Sequence, residues 1–280
     1  MNRWLLAVAC LMNAASVAMA QSPPASGRAQ DSTKRNPHAV QPERPTVATH
    51  AGTVAPGWVE LEEGGEWDRF ADGSRSFAAP ANLKIGLAGR GQLNLLASVI
   101  HTTPVSRATA LGDLTVGVKY RALEHAPLLG DFAFLSSVKF PTASAREGFG
   151  TGTTDLSLLL ISSHELGSVD MDLNAGLTKR SGDGSRVPKT ATVWTASFGF
   201  LLTGAFGWVA EVFGYPGTAG PQGQKGSVAL LAGPTFSARE WLALDLGTIT
   251  PVTGPQPRAA YAGFVWNIGS LSSRNAESKH

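Results

Sequence analysis

The chain has 280 residues, of which only 16% are charged, whereas soluble domains average roughly 25%. Its formal net charge of +2, and the lack of any Lys/Arg cluster interleaved with aromatic residues, indicate no nucleic-acid partner. So little charge would be unusual in a soluble protein, but it suits a β-barrel whose outer face meets lipid.

Residues 1–20 are predicted to form a secretory signal peptide. Arg3 supplies a positive start, residues 4–17 are mostly apolar, and Ala18-Met19-Ala20 places small residues at the positions a signal peptidase reads. We therefore expect export and cleavage after Ala20. The only cysteine, Cys10, lies in this segment, so the mature chain would carry no thiol and could form no disulfide or thiolate zinc site.

Residues 21–56 are rich in Pro, Ser, Thr and Ala and contain few large apolar side chains. Such a composition buries too little surface to offset the entropy of ordering, which predicts a disordered linker. The segment also contains His38, Arg44 and His50, and it could instead reach into a barrel as a plug. The sequence leaves these two interpretations open.

From Trp58 onward the dominant hydrophobic period is two residues, as expected of β-strands with one apolar and one polar face. The clearest example is 169–178, where apolar residues alternate with polar or small ones. The pattern predicts about twelve strands: 58–69, 77–88, 92–101, 111–123, 131–141, 153–163, 168–179, 190–202, 207–215, 226–236, 240–249 and 259–269. Most have the 9–11 residues that a tilted strand needs to cross a bilayer.

The predicted connections alternate between tight turns and longer loops rich in Gly, Pro and charge, as in outer-membrane barrels. We therefore predict an all-β fold, a closed antiparallel up-and-down transmembrane β-barrel over residues 57–269. Residues 270–280 would form a C-terminal tail, and an even number of strands would put both termini on the periplasmic side. A soluble sandwich or lipocalin-like fold is the alternative, because alternation cannot tell the inside from the outside.

Aromatic residues near the predicted strand ends are candidates for the girdles that barrels place at headgroup depth. In a soluble β-sandwich the same residues would be core aromatics. The candidates are Trp58, Trp67, Tyr120, Phe132, Phe140, Trp208, Trp241, Tyr261, Phe264 and Trp266.

If the apolar face contacts lipid, the charged residues of the strands line the lumen, because a charge that faces lipid near the middle of the bilayer costs several kcal/mol. These candidate lumen-lining residues are Lys84, Asp113, Lys119, Arg121, Lys139, Asp155, Asp170, Asp172, Glu211 and Asp245. They could set the selectivity of a pore. Alternatively, they form a salt-bridged network that packs the interior, since twelve strands lie between the filled eight-stranded and the open sixteen-stranded barrels.

No catalytic residue, metal ion or cofactor is expected. The six histidines show no HExxH or other metal-ligand spacing, and Gly148-x-Gly150-x-Gly152 precedes a strand rather than the helix of a phosphate loop. Twelve-stranded outer-membrane phospholipases carry a serine and a histidine two residues apart on one strand. We expect no such pair here, and hence no enzyme.

Several stretches resemble a family of bacterial outer-membrane proteins assigned to the meta-pathway of phenol degradation. Residues 56–62 (PGWVELE) resemble its opening motif, 112–120 (GDLTVGVKY) its GDLTLGLKY strand, 139–142 (KFPT) its LPTG strand end, and 210–214 (AEVFG) its AEL-x-G strand. Arg44-Pro45 matches its early Arg-Pro pair, whereas Ala143 replaces its usual glycine.

The resemblance extends over about residues 44–268. It implies an outer-membrane barrel that admits small aromatic or other hydrophobic solutes, with membrane lipid as its surrounding partner. A structural barrel whose outer loops bind a partner remains the alternative, and the sequence leaves the oligomeric state open.

Overall fold

The computed structural model describes residues 36–103, 109–185, 187–218 and 225–271. The predicted signal peptide and residues 272–280 of the predicted tail lie outside this range. Within it, regular structure consists of strands. None of the described residues belongs to a helix long and apolar enough to span a membrane.

The strands alternate in direction and close into a single barrel, as the hydrophobic period predicts. Their bounds are β1 Trp58–Arg69, β2 Arg75–Gly86, β3 Gly91–Thr103, β4 Thr109–Leu111, β5 Leu114–Ala126, β6 Gly130–Phe140, β7 Asp155–Leu166, β8 Val169–Arg180, β9 Thr190–Thr203, β10 Phe206–Tyr215, β11 Ser227–Arg239, β12 Leu242–Thr253 and β13 Arg258–Ser270.

Twelve of these strands form the barrel, since each pairs antiparallel with its neighbours and β1 pairs with β13 to close the sheet. The prediction of a closed twelve-stranded barrel is confirmed. The difference is β4, a three-residue strand that pairs with the end of β3. Leu111, the last residue of β4, was predicted to begin the next strand. In the structure, Gly112 and Asp113 separate β4 from β5.

The two ends of the barrel differ in the length of their connections, and we call them the proximal and the distal end. The proximal end is where β1 begins and β13 ends, and its turns are short: 87–90, 127–129, 167–168, 204–205 and 240–241. The distal end carries longer connections, including 141–154 and 181–189.

The apolar face of the strands is the outer one. Leu114, Val118, Leu173 and Leu244 are 38–44% exposed, while the charged residues between them point inward and are buried. Glu63 is an exception, because it is exposed on the outward face near the middle of β1, opposite Phe264 of β13. The hydrophobic exterior is of the kind that a bilayer covers.

Most of the aromatic candidates follow the same rule: Trp67, Tyr120, Phe140, Trp208, Trp241 and Trp266 are exposed on the outside. The prediction for Tyr261 is wrong, since its side chain is 5% exposed and faces the lumen. There its hydroxyl lies over Gly233 and Gly247, where added side chains would collide with it.

Candidate functional site: the lumen and the segment inside it

Residues 36–57 run inside the barrel. The segment enters at the proximal end, where the backbone N–H of Val40 donates to the carbonyl of Glu240 at 2.8 Å. It leaves at the same end, where Gly57 N–H donates to the carbonyl of Gly86 at 2.8 Å before β1 begins. Between these points, Ala48 and Ala51 have no exposed surface, and most neighbouring side chains are buried as well. We call residues 36–57 the inserted segment.

Side chains of the wall satisfy the backbone of the inserted segment. The Glu211 carboxylate on β10 accepts hydrogen bonds from the N–H groups of Val47 and Ala48, at 2.7 and 2.6 Å. Asn174 on β8 both accepts from Thr49 N–H and donates to its carbonyl oxygen.

Two further strands contribute contacts of the same kind. Ser163 on β7 accepts from Ala51 N–H at 2.8 Å, and Gln92 on β3 accepts from Val54 N–H at 2.9 Å. Buried N–H groups need such partners. Because the partners come from strands spread around the barrel, they hold the segment in one defined path.

A buried ion pair joins Arg44 of the inserted segment to Asp245 on β12. Arg44 Nε lies 2.9 Å from one carboxylate oxygen and Nη2 lies 3.0 Å from the other, which makes the pair bidentate. The two side chains are 8% and 3% exposed. Charge-assisted bidentate pairs of this kind are among the stronger hydrogen-bonded contacts in proteins.

Glu43 joins the segment to the opposite wall. Its carboxylate pairs with Lys119 on β5 and accepts hydrogen bonds from Gln92 at 2.8 Å and from Asn94 at 3.2 Å. Every partner is fully or almost fully buried. The Glu43 carboxylate is therefore the shared acceptor of three buried donors from β3 and β5.

A second buried cation, Lys84 on β2, lies between two carboxylates of β1, Glu60 and Glu62. Its ammonium group also donates to the carbonyl of Gln41, and the Glu60 carboxylate accepts from Gln41 N–H at 2.8 Å. The wall charges thus reach the segment both directly and through its backbone.

Inward-facing glycines make room for the segment. Gly64 of β1 and Gly263 of β13 lie directly opposite each other in the sheet. A Cβ added at either position would collide with the Arg44 guanidinium, and one added at Gly86 would collide with the backbone of Ala55. Arg44 therefore lies flat on a bare patch of backbone.

Apolar contacts fill the remaining space around the segment. Val47 packs against a cluster that includes Val209 and Leu231, and Ala51 belongs to one with Leu135 and Ile161. Burial of these side chains adds a non-directional hydrophobic term to the polar contacts.

The distal half of the lumen has its own ionic cluster. Lys139 lies 2.9 Å from Asp113 and 3.3 Å from Asp155, and Arg180 lies 3.3 Å from Asp155. Asp113 also accepts from Thr151 N–H at 3.1 Å, which ties loop 141–154 to the wall. Gly148, Gly150 and Gly152, which the sequence analysis did not interpret as a phosphate-binding loop, lie in this loop.

Seven of the ten charged lumen candidates fall into two groups. Lys84, Lys119, Glu211 and Asp245 contact the inserted segment, whereas Asp113, Lys139 and Asp155 meet near the distal end.

The other three, Arg121, Asp170 and Asp172, lie toward the proximal end. Arg121 pairs with Glu124 at 2.9 Å, Asp172 accepts a hydrogen bond from Ser163, and Asp170 is half-buried beside Gly199. Among the described residues no cluster of His, Cys, Asp or Glu could hold a metal ion.

Sequence reasoning placed Asn174 on the lumen side of its strand but missed many other residues that hold the segment, above all Glu43, Glu60, Glu62, Gln92, Asn94 and Ser163. The alternation along β1 was the available signal for Glu60 and Glu62, because both share the inward face of that strand. The same alternation was the signal for Gln92 and Asn94 on β3 and for Asn174 on β8.

The expectation that no serine–histidine pair exists on a strand is wrong. Ser162 and His164 are two residues apart on the outward face of β7, and Ser162 Oγ lies 2.9 Å from His164 Nε2. However, Ser162 Oγ also donates to the carbonyl of Leu129 at 2.8 Å. Its single proton is then directed at the turn 127–129 and not at the imidazole, so the pair ties this turn to the wall.

Comparisons with known proteins agree with this architecture. No curated protein matches the sequence significantly. Among solved structures, an outer membrane channel from Pseudomonas putida F1 is similar with a TM-score of 0.58 and 10% identity, covering 77% of this chain and 97% of that one. The NanC porin is similar with a TM-score of 0.54 and 9% identity, covering 74% of this chain and 98% of that one.

At these identities the two structures establish a shared fold. The sequence itself matches a family model over residues 49–267, which is most of the barrel and the last part of the inserted segment. The chain therefore belongs to the family described as “Putative MetA-pathway of phenol degradation”.

Proposed function

We propose that this protein is a channel of the bacterial outer membrane for small, uncharged solutes and that the inserted segment is its plug. The observation that carries the proposal is the way the segment is docked, through Arg44–Asp245, Glu43–Lys119 and the backbone contacts to Glu211 and Asn174. A barrel with a purely structural role has no need of a lumen that is built to hold a separate piece of chain.

Three further observations support the channel. The outer face is apolar, as a barrel in a bilayer requires, and the connections are short at one end and longer at the other. The two similar structures are named as an outer membrane channel and a porin. The family's description makes phenol and related aromatic compounds the first solutes to test.

The orientation of the barrel in the membrane follows from the lengths of the connections at its two ends. Outer-membrane barrels have short periplasmic turns and longer extracellular loops, so the proximal end is assigned to the periplasm and the distal end to the outside. The plug is then tethered on the periplasmic side, next to the expected site of signal-peptide cleavage.

The plug proposal is tested by two nested deletions measured in liposomes and planar bilayers. Removal of residues 21–51 takes away Glu43, Arg44 and the contacts to Glu211 and Asn174, and should raise single-channel conductance and uptake of a small aromatic solute. Removal of residues 21–35 alone leaves every one of these contacts in place and should change neither.

Both variants should keep the heat-modifiable gel mobility of a folded barrel. If the longer deletion changes nothing and the intact protein also passes no solute, the barrel has a structural or surface-binding role instead. Catalysis is not part of the proposal, because the Ser162 hydroxyl is directed at a backbone carbonyl.

A further inference from the structure

Three arginines lie side by side at the distal rim of the barrel. Arg69, the last residue of β1, is directly opposite Arg75 of β2 on one side and Arg258 of β13 on the other. All three side chains are exposed, and we call them the arginine row. Like charges directly opposite each other on one face of a sheet repel, so the row costs stability unless anions lie between its members.

The arginine row is on the outer face of the barrel. Along β1, Arg69 comes two residues after the outward-facing Trp67, and Asp68 between them is buried on the lumen side. On β2, Arg75 comes two residues before Phe77, whose ring centroid lies 5.1 Å from that of Trp67. Aromatic residues on the outside of a barrel mark the depth of the lipid headgroups. The arginine row therefore lies at the distal edge of the headgroup layer.

Two of the three arginines have no acidic partner. Among the residues that the structure describes, no carboxylate pairs with Arg69 or Arg258. Asp72, in the turn between β1 and β2, instead accepts hydrogen bonds from the N–H and the hydroxyl of Ser74, at 2.9 and 2.6 Å. The row thus presents uncompensated positive charge toward the headgroups.

Small side chains continue from the row toward the middle of the barrel wall. On β13, Ala260 and Ala262 follow Arg258 on the outer face, and both are exposed. Gly65 of β1 is directly opposite Ala262, and Leu246 of β12 is opposite it on the other side. The two alanines therefore form a shallow apolar strip beside the larger Leu246. An acyl chain can lie along this strip while its headgroup is at the arginine row.

We propose that the arginine row binds the phosphorylated glycolipid of the outer leaflet, with lipid A phosphates between the guanidinium groups and an acyl chain along Ala260 and Ala262. Guanidinium groups bind phosphate oxygens in bidentate geometry, and lipid A carries a phosphate at each end of its disaccharide. A free phosphate ion would gain nothing from the apolar strip. The proposal rests on the proposed orientation, in which the distal end faces the outside and the row lies in the outer leaflet.

The test measures binding of lipid A to the full-length folded barrel in detergent micelles by native mass spectrometry. The row variant changes all three arginines of the row: Arg69→Gln, Arg75→Gln and Arg258→Gln. The control variant removes the same charge from exposed residues of the distal connections: Arg146→Gln, Lys189→Gln and Lys225→Gln. Heat-modifiable gel mobility checks that each barrel is folded.

The row variant should bind lipid A about a hundredfold more weakly than the natural protein, because each basic residue near an anionic membrane surface contributes about fivefold in affinity. The control variant should bind almost as tightly as the natural protein. Lipid A without its two phosphates should bind the natural protein as weakly as intact lipid A binds the row variant. Phosphatidylglycerol should bind more weakly than lipid A, and inorganic phosphate at constant ionic strength should not displace lipid A.

Equal losses in the row and control variants would overturn the proposal, because the effect would then be one of net charge alone. Tight binding of the dephosphorylated glycolipid or of phosphatidylglycerol would also overturn it, as would displacement of lipid A by inorganic phosphate. Binding in micelles depends neither on the orientation of the barrel nor on passage of a solute, so its result is independent of the tests of the channel. A barrel that binds lipid A and conducts nothing would retain the site and reject the channel.

Discussion

The ion pair between Arg44 and Asp245 provides the sharpest test of whether the inserted segment closes the lumen. In it, a charged side chain of the segment meets a wall carboxylate in bidentate geometry, at 2.9 and 3.0 Å. The change to make is Arg44→Met, which keeps an unbranched side chain over Gly64 and Gly263 but removes the charge.

The expected size of the effect follows from the burial of the pair. Asp245 is 3% exposed, so with the segment docked its carboxylate would have neither water nor a cation. Breaking a buried pair in this way costs about 3–5 kcal/mol. When the segment leaves, water enters the lumen and hydrates Asp245, so the cost applies to the plugged state alone. The equilibrium should shift toward the open state between about a hundredfold and a few thousandfold.

The measurement is the open probability of single channels in planar bilayers, with heat-modifiable gel mobility as the check on barrel folding. The control is the double variant Arg44→Met with Asp245→Leu, which replaces both charges by apolar groups of similar size. Such replacements are often neutral or stabilising, so the double variant should be as closed as the natural protein. A folded Arg44→Met barrel with unchanged open probability would refute the plug, as would a double variant as open as the single one.

Three other predictions concern the barrel. Leu173→Arg, on the lipid-facing side of β8, should destabilise the folded barrel in urea titrations by about 2–4 kcal/mol, whereas the inward Thr178→Arg should cost much less; similar losses would contradict the assignment of faces. Glu63→Leu should stabilise the barrel by about 1–2 kcal/mol in the same titration, since it removes the outward carboxylate near mid-strand, and a loss of stability would indicate an unrecognised partner. An epitope inserted at Gly182 should be detected on intact cells and one at Gly204 should not, with the reverse pattern inverting the orientation.

The hydrophobic period predicts the strands because the sheet itself imposes it. Along β8 the exposed Leu173 and the buried Asn174 alternate as their neighbours do, and the register follows once each strand has one lipid-facing side. The period is uninformative where both faces are apolar. On β13 the inward Tyr261 and Val265 alternate with the outward Ala262 and Trp266, so the sequence could not decide that Tyr261 faces the lumen.

The path of the inserted segment was beyond the reach of sequence patterns for a different reason. Its contacts are side chains of strands between 19 and 230 residues away, from Glu60 near Gln41 to Asn267 near Pro37, and they follow no period along the segment itself. Its low content of large apolar residues, which suggested disorder, reflects the way it is held. Backbone N–H groups donate to wall carboxylates, amides and a hydroxyl, and Val47 and Ala51 supply the small apolar contacts.

The inward glycines connect the composition of the chain to its proposed gating. In a twelve-stranded barrel, large inward side chains would fill much of the interior by themselves. Here Gly64, Gly86 and Gly263 leave space that Arg44 and Ala55 occupy. These three glycines thus accommodate the plug. On this basis the charges of the proximal wall act chiefly by holding the segment. Their substitution should therefore change the open probability of the channel more than its solute selectivity.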